Sequence, residues 1–116
     1  MGKRMVGQAG RAHEQPTPDR LLMLGSRYWE SKALFCAVEL GVFSELAQGP
    51  MDAETLRRRV GVHARGARDF FDALVALGLL EREDGRYRNT AETEAFLDPG
   101  KPSYIGGFLK MANTLL

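Results

Sequence analysis

Ala73-Leu74-Val75-Ala76-Leu77-Gly78-Leu79-Leu80-Glu81-Arg82-Glu83-Asp84-Gly85-Arg86-Tyr87-Arg88-Asn89 carries three structural signals in one run. The apolar residues up to Leu77 keep helical spacing, and Gly78 follows where a helix closes through a left-handed residue. Leu79–Glu83 and Arg86–Asn89 flank Asp84-Gly85, the pair that suits a type I′ turn because both central residues need positive φ. A hairpin therefore follows the helix. Towards the N-terminus, Asp52 is an N-cap for a helix whose inward face is Ala53, Leu56 and Val60, with Arg57, Arg58 and Arg59 mostly outside. Gly61-Val62-His63 reads as a tight turn. A longer helix from about Ala64 to Leu77 then points Ala67, Phe70, Phe71, Leu74 and Leu77 at a core. Helix, three-residue turn, helix and hairpin together spell a mainly α chain built on a winged helix-turn-helix.

In front of this unit lies Tyr28-Trp29-Glu30-Ser31-Lys32-Ala33-Leu34-Phe35-Cys36-Ala37-Val38-Glu39-Leu40-Gly41-Val42-Phe43. A surface helix shows one apolar stripe about 100° wide. This one shows two. Leu22, Trp29, Ala33, Cys36 and Leu40 make one face, and Leu24, Tyr28, Phe35, Val38 and Val42 make the other. One face can meet the chain's own core; the second needs another cover, and a second copy of the chain is the simplest. The plainer alternative is the central helix of a small domain. The helix is expected to start with Thr17 as N-cap, Pro18 at the first position and Asp19 at the positive end of the dipole. Gly25-Ser26 is a point where it can bend, and Gly41 ends it, before a short helix from Val42 to Ala47 closed by Gly49-Pro50. Beyond the hairpin, Thr90 caps a short helix to Leu97, and Ser103 caps a last apolar helix with Tyr104, Ile105, Phe108, Leu109 and Met111. That helix reaches Leu116 without a stop signal, so the sequence reads as cut.

Composition narrows the function. The 116 residues make one domain with a modest core; 44% hydrophobic residues exclude wholesale disorder and 27% charged residues exclude a membrane protein. The apolar stretch is broken by Glu30, Lys32 and Glu39, and residues 1–18 lack the apolar run of a signal peptide, so the expected location is cytoplasmic. The one cysteine, Cys36, forms no internal disulfide and is expected to be a small buried hydrophobe. His13, His63 and Cys36 have no ligand spacing, no histidine partners the cysteine, and no glycine-rich phosphate cradle follows a strand. No catalytic, cofactor-binding or metal-binding residue is assigned. DNA recognition would use Arg65 and Arg68 on the second helix and Arg82, Arg86 and Arg88 on the wing. Acidic Asp69, Asp72, Glu81, Glu83 and Asp84 share those surfaces and cancel the attraction to phosphates.

Arg27-Tyr28-Trp29-Glu30-Ser31-Lys32-Ala33-Leu34, with Ala37 to Phe43 after it, resembles the opening helix of the plant-type and bacterial natural-product O-methyltransferases. The capped helix Asp52–Val60, the run Ala73 to Glu81 and the helix from Thr90 to Leu97 are similar to the family's next signatures. The resemblance covers about Pro18 to Leu116. It implies an N-terminal winged-helix domain that forms an intertwined homodimer and helps wall the substrate pocket, without binding nucleic acid or membrane. S-adenosylmethionine and the general base belong to a following Rossmann-like domain, of which this sequence shows nothing, so the chain alone is expected to be inactive. On this basis residues 1–17 are a disordered arm, 18–102 the dimerisation domain and 103–116 the start of a linker helix. Leu22, Trp29, Phe35 and Val38 are the expected dimer interface, and Tyr28, Trp29, Phe108 and Met111 the expected pocket lining for a small aromatic or polyketide-like substrate. A winged-helix transcription regulator is the alternative, and a stand-alone subunit that pairs with a separate catalytic chain is a third.

Overall fold

Left-handed glycines divide the chain into its helices. The computed structural model describes residues 15–115, so the expected arm falls outside it except for residues 15–17, as does Leu116. Helix α1 (Asp19–Leu40) runs unbroken for 22 residues and stops at Gly41, whose φ of 81° an L side chain rarely adopts. The chain turns there into α2 (Val42–Leu46), then β1 (Met51–Asp52) and α3 (Ala53–Val60). Next come α4 (Ala67–Ala76), the hairpin β2 (Leu80–Glu83) and β3 (Arg86–Asn89), α5 (Ala91–Phe96) and α6 (Gly106–Leu115). Helix α4 closes as expected from the sequence: the Leu79 amide donates to the Leu74 carbonyl and the Gly78 amide to that of Val75, both at 2.9 Å. Asp84 and Gly85 have φ of 54° and 75°, the two positive values of a type I′ turn.

The hairpin is not alone. β3 pairs with β2 on one side and with β1 on the other, Met51 opposite Tyr87, giving an antiparallel sheet of order β1-β3-β2. Tyr87 thereby sits in the central strand and points into the core. It packs with Val42 and Phe43 from α2, Leu56 from α3, Phe71 and Leu74 from α4, and Leu80 from β2, all essentially sealed from solvent. Its polar tip has a partner, as buried phenols need: the hydroxyl donates to Asp72 Oδ1 at 2.5 Å. Arg82 donates to the same oxygen at 3.3 Å, with its guanidinium carbon 5.6 Å from the Tyr87 ring centre. Burial and the Asp72 bond push the Tyr87 hydroxyl up to about 12.

Several local expectations are corrected. Pro18, not Thr17, is the N-cap of α1, with no side-chain cap bond. α4 begins at Ala67 behind a left-handed Gly66, so the connection between α3 and α4 spans residues 61–66 and not three residues. α6 begins at Gly106, and Ser103 instead donates to the Ala95 carbonyl. Cys36 is exposed, because the inward side of α1 at that level is taken by Ala33, Phe35, Ala37 and Val38. Asp52 and Thr90 do cap their helices, accepting from the amides of Thr55 at 2.7 Å and Thr93 at 3.0 Å.

Truncating Phe71→Ala opens a cavity under α4 and is expected to cost about 3–5 kcal/mol, read as a lower urea midpoint. Because the Tyr87 pKa is raised by folding, its contribution to stability is complete below the ordinary phenol value and is lost as pH rises towards 12. Unfolding monitored from about pH 9 to about pH 12 should show that loss in the native sequence, and Tyr87→Phe should flatten it.

Candidate interaction surface

The C-terminal half of α1 is anchored and the N-terminal half stands clear. Ala33, Ala37 and Val38 join the core cluster, whereas every residue from Asp19 to Ser31 is exposed. Four consecutive apolar residues, Leu21-Leu22-Met23-Leu24, put hydrocarbon on all sides of the helix, and one turn later come Tyr28 and Trp29. Leu22 keeps 65% of its surface and Trp29 57%. Scattered exposed apolar residues are ordinary; six on three turns of one helix make a candidate interaction surface. Of the expected interface residues, Leu22 and Trp29 therefore offer surface. Phe35 and Val38 are only 8% and 7% exposed and are already covered within the chain.

α6 lies alongside α1, tied by a hydrogen bond from Lys32 Nζ to Asn113 Oδ1 at 2.7 Å. Phe108 and Met111, a turn apart on α6, are exposed, as are Tyr28 and Trp29 on α1. The four do not line the apolar cleft that the fold forms here, of about 210 Å³, whose walls include Leu34, Leu79, Phe96, Leu97, Ile105 and Leu109. Phe96 escaped the sequence reading because a six-residue helix is too short to display a period. A second cleft of about 400 Å³ lies between the end of α2 and α5, where Arg88, Glu81 and Glu94 mix both signs of charge.

Of the five arginines that DNA recognition would use, Arg82 and Arg88 are ion-paired, and Arg86 is exposed on the wing beside Asp84. Arg57 and Arg58 both bind Glu54 Oε2, at 2.7 and 2.8 Å, and the Arg57 hydrogen bond helps hold the Glu54 carboxyl down to about 2. Arg59 pairs with Glu45, Arg82 with Asp72, and Arg88 with Glu81 and Glu83 on the wing. This leaves Arg65 and Arg68 as the exposed cations of the α4 entry, with exposed Asp69 beside them. Among the described residues there is no group of three His, Cys, Asp or Glu side chains placed to hold a metal ion, and no helix is long and apolar enough to cross a membrane.

Known proteins fit this geometry. The tetracenomycin polyketide synthesis 8-O-methyl transferase of Streptomyces glaucescens is 49% identical over 100 residues, which is 85% of this chain and 30% of that protein. An N,N-dimethyltransferase of Streptomyces rimosus is 48% identical over 75% of this chain and 25% of its own length. Human N-acetylserotonin methyltransferase, solved in complex with SAM, superposes with a TM-score of 0.74 at 32% identity, covering 87% of this chain and 31% of that one. The chain thus spans about 30% of such relatives. Residues 22–99 match the O-methyltransferase dimerisation domain, and the chain belongs to that family.

Proposed function

We propose that this chain is the dimerisation and pocket-walling part of an S-adenosylmethionine-dependent methyltransferase of natural-product biosynthesis, acting in the cytoplasm as a homodimer on a small aromatic or polyketide-like acceptor. One observation carries the proposal: the unsupported apolar half of α1, which includes Leu22 and Trp29, in a chain of the dimerisation family. Magnitudes agree. Covering six such side chains on each of two copies, at about 1 kcal/mol apiece, gives roughly 12 kcal/mol, comparable with the cost of association. Most of the patch must therefore be used for a stable dimer, and Phe35 and Val38 serve it from beneath as the fixed side of the helix. Tyr28, Trp29, Phe108 and Met111 supply apolar wall to a pocket whose remaining sides belong to other parts of the enzyme. A dry wall of this kind aligns the acceptor with the methyl group and excludes water. One relative carries the name of an 8-O-methyl transferase and another that of an N,N-dimethyltransferase, so membership of the family does not by itself fix the acceptor atom.

The winged helix-turn-helix assignment is part of the same proposal, supported by the order α3, α4, hairpin, with β1 as the third strand of the sheet. A DNA-binding regulator is disfavoured by the acidic residues that share these surfaces, Asp69, Glu81, Glu83 and Asp84, and by the ion pairs of Arg82 and Arg88. Duplex DNA added to the chain should give no retarded band at about 10 µM protein in 0.15 M salt; a complex that weakens steeply with salt would favour the regulator instead. Leu22→Glu combined with Trp29→Glu should convert the dimer to a monomer in sedimentation while leaving the thermal unfolding of the core in place. Phe35→Glu, by contrast, should unfold the chain, because it places a charge at a position that is 8% exposed.

A further inference from the structure

Gly25 sits in the middle of α1 with no reason for a glycine inside the chain. Its φ is not positive, and a Cβ built on it meets nothing within 4 Å. Glycine in a helix interior is nevertheless markedly worse than alanine. Next to it, the Ser26 hydroxyl donates back to the Leu22 carbonyl at 3.0 Å, a bond that slightly weakens and bends helices. Gly-Ser pairs are a recognised place for a helix to give. Outside this point the segment Asp19–Leu24 has little to hold it. It has no side-chain cap, and among the described residues no ion pair involves any residue from Asp19 to Ser31. Leu21 and Leu22 keep about two-thirds of their surface, so no packing compensates. Short helices without tertiary cover are marginal in water.

We infer that the outer segment of α1, Asp19–Leu24, becomes stably helical only when a second copy of the chain covers it, with Gly25-Ser26 as the joint at which the helix otherwise gives. Folding of this segment is then part of the dimerisation step. The glycine keeps the segment pliable in the free chain, so that it docks as it folds. This inference rests on the homodimer proposed above.

The 116-residue chain and its Gly25→Ala variant are compared by sedimentation equilibrium, with circular dichroism at 222 nm across the same dilution series. For coupled folding, the native chain loses helix on dilution through its dimer Kd. Gly25→Ala then tightens the dimer by up to about twenty-fold, the equivalent of 0.9 kcal/mol per copy at 1.4 kcal/mol per decade. It also retains more of its helix when dilute, and Ser26→Ala moves both quantities the same way by less. An unchanged Kd together with concentration-independent helicity overturns the inference, because a preformed helix gains equally in both states. A weaker Gly25→Ala dimer also overturns it and assigns the glycine to close approach of the partner backbone. If the native chain stays monomeric throughout, the dimer proposal itself fails, and the inference falls with it.

Discussion

The contact between Phe71 and Tyr87 holds the two halves of the domain together. Their rings meet edge to face with centroids 5.5 Å apart, one carried by α4 and the other by the central strand of the sheet. α3 packs on α4 and α2 on β3, while β1 and β2 flank the strand that carries Tyr87. Such a residue can be buried only if its hydroxyl is satisfied, and Asp72, the residue after Phe71, does this. One short stretch of α4 thus provides both the apolar and the polar half of the joint.

Much of this was legible. Gly41, Gly61 and Gly78 follow stretches with helical spacing and do terminate helices, and Asp-Gly does form the positive-φ turn, because both signals depend on single residues and on nothing distant. Asp52 and Thr90 were equally readable as caps. β1 was not. Two residues carry no alternation, and Met51-Asp52 is a strand only because β3 lies beside it. The start of α4 was misplaced for a different reason: Ala64 and Arg65 favour a helix, and Gly66, a residue that disfavours one, was read through although it adopts the left-handed conformation that delays the start to Ala67.

The opening helix shows the limit most clearly. Its apolar excess was read as two faces along its whole length, whereas the structure separates it by level. Near the C-terminal end Ala33, Phe35, Ala37 and Val38 are covered while Cys36 and Leu40 stay on the outer side, and near the N-terminal end every apolar residue is bare. Periodicity reports the angle of a residue around the helix axis but not how far along that axis the rest of the protein reaches. Of the residues named for the interface, Leu22 and Trp29 are exposed, while Phe35 and Val38 share their hydrophobicity but not their surroundings; exposure at a given level of the helix was the part the sequence did not carry.

The loop between α5 and α6 bears on how the last helix is placed. Three groups from it occupy the carbonyls that end α5: Lys101 Nζ on Glu94, the Ser103 hydroxyl on Ala95, and the Ile105 amide on Phe96. The root of α6 is thereby pinned to the folded body, while further along Asn113 is pinned to Lys32 of α1. Both ends of α6 are thus fixed, one to the end of α5 and the other to α1 next to its bare segment, so the position of the last helix is set by the same helix that carries the exposed face.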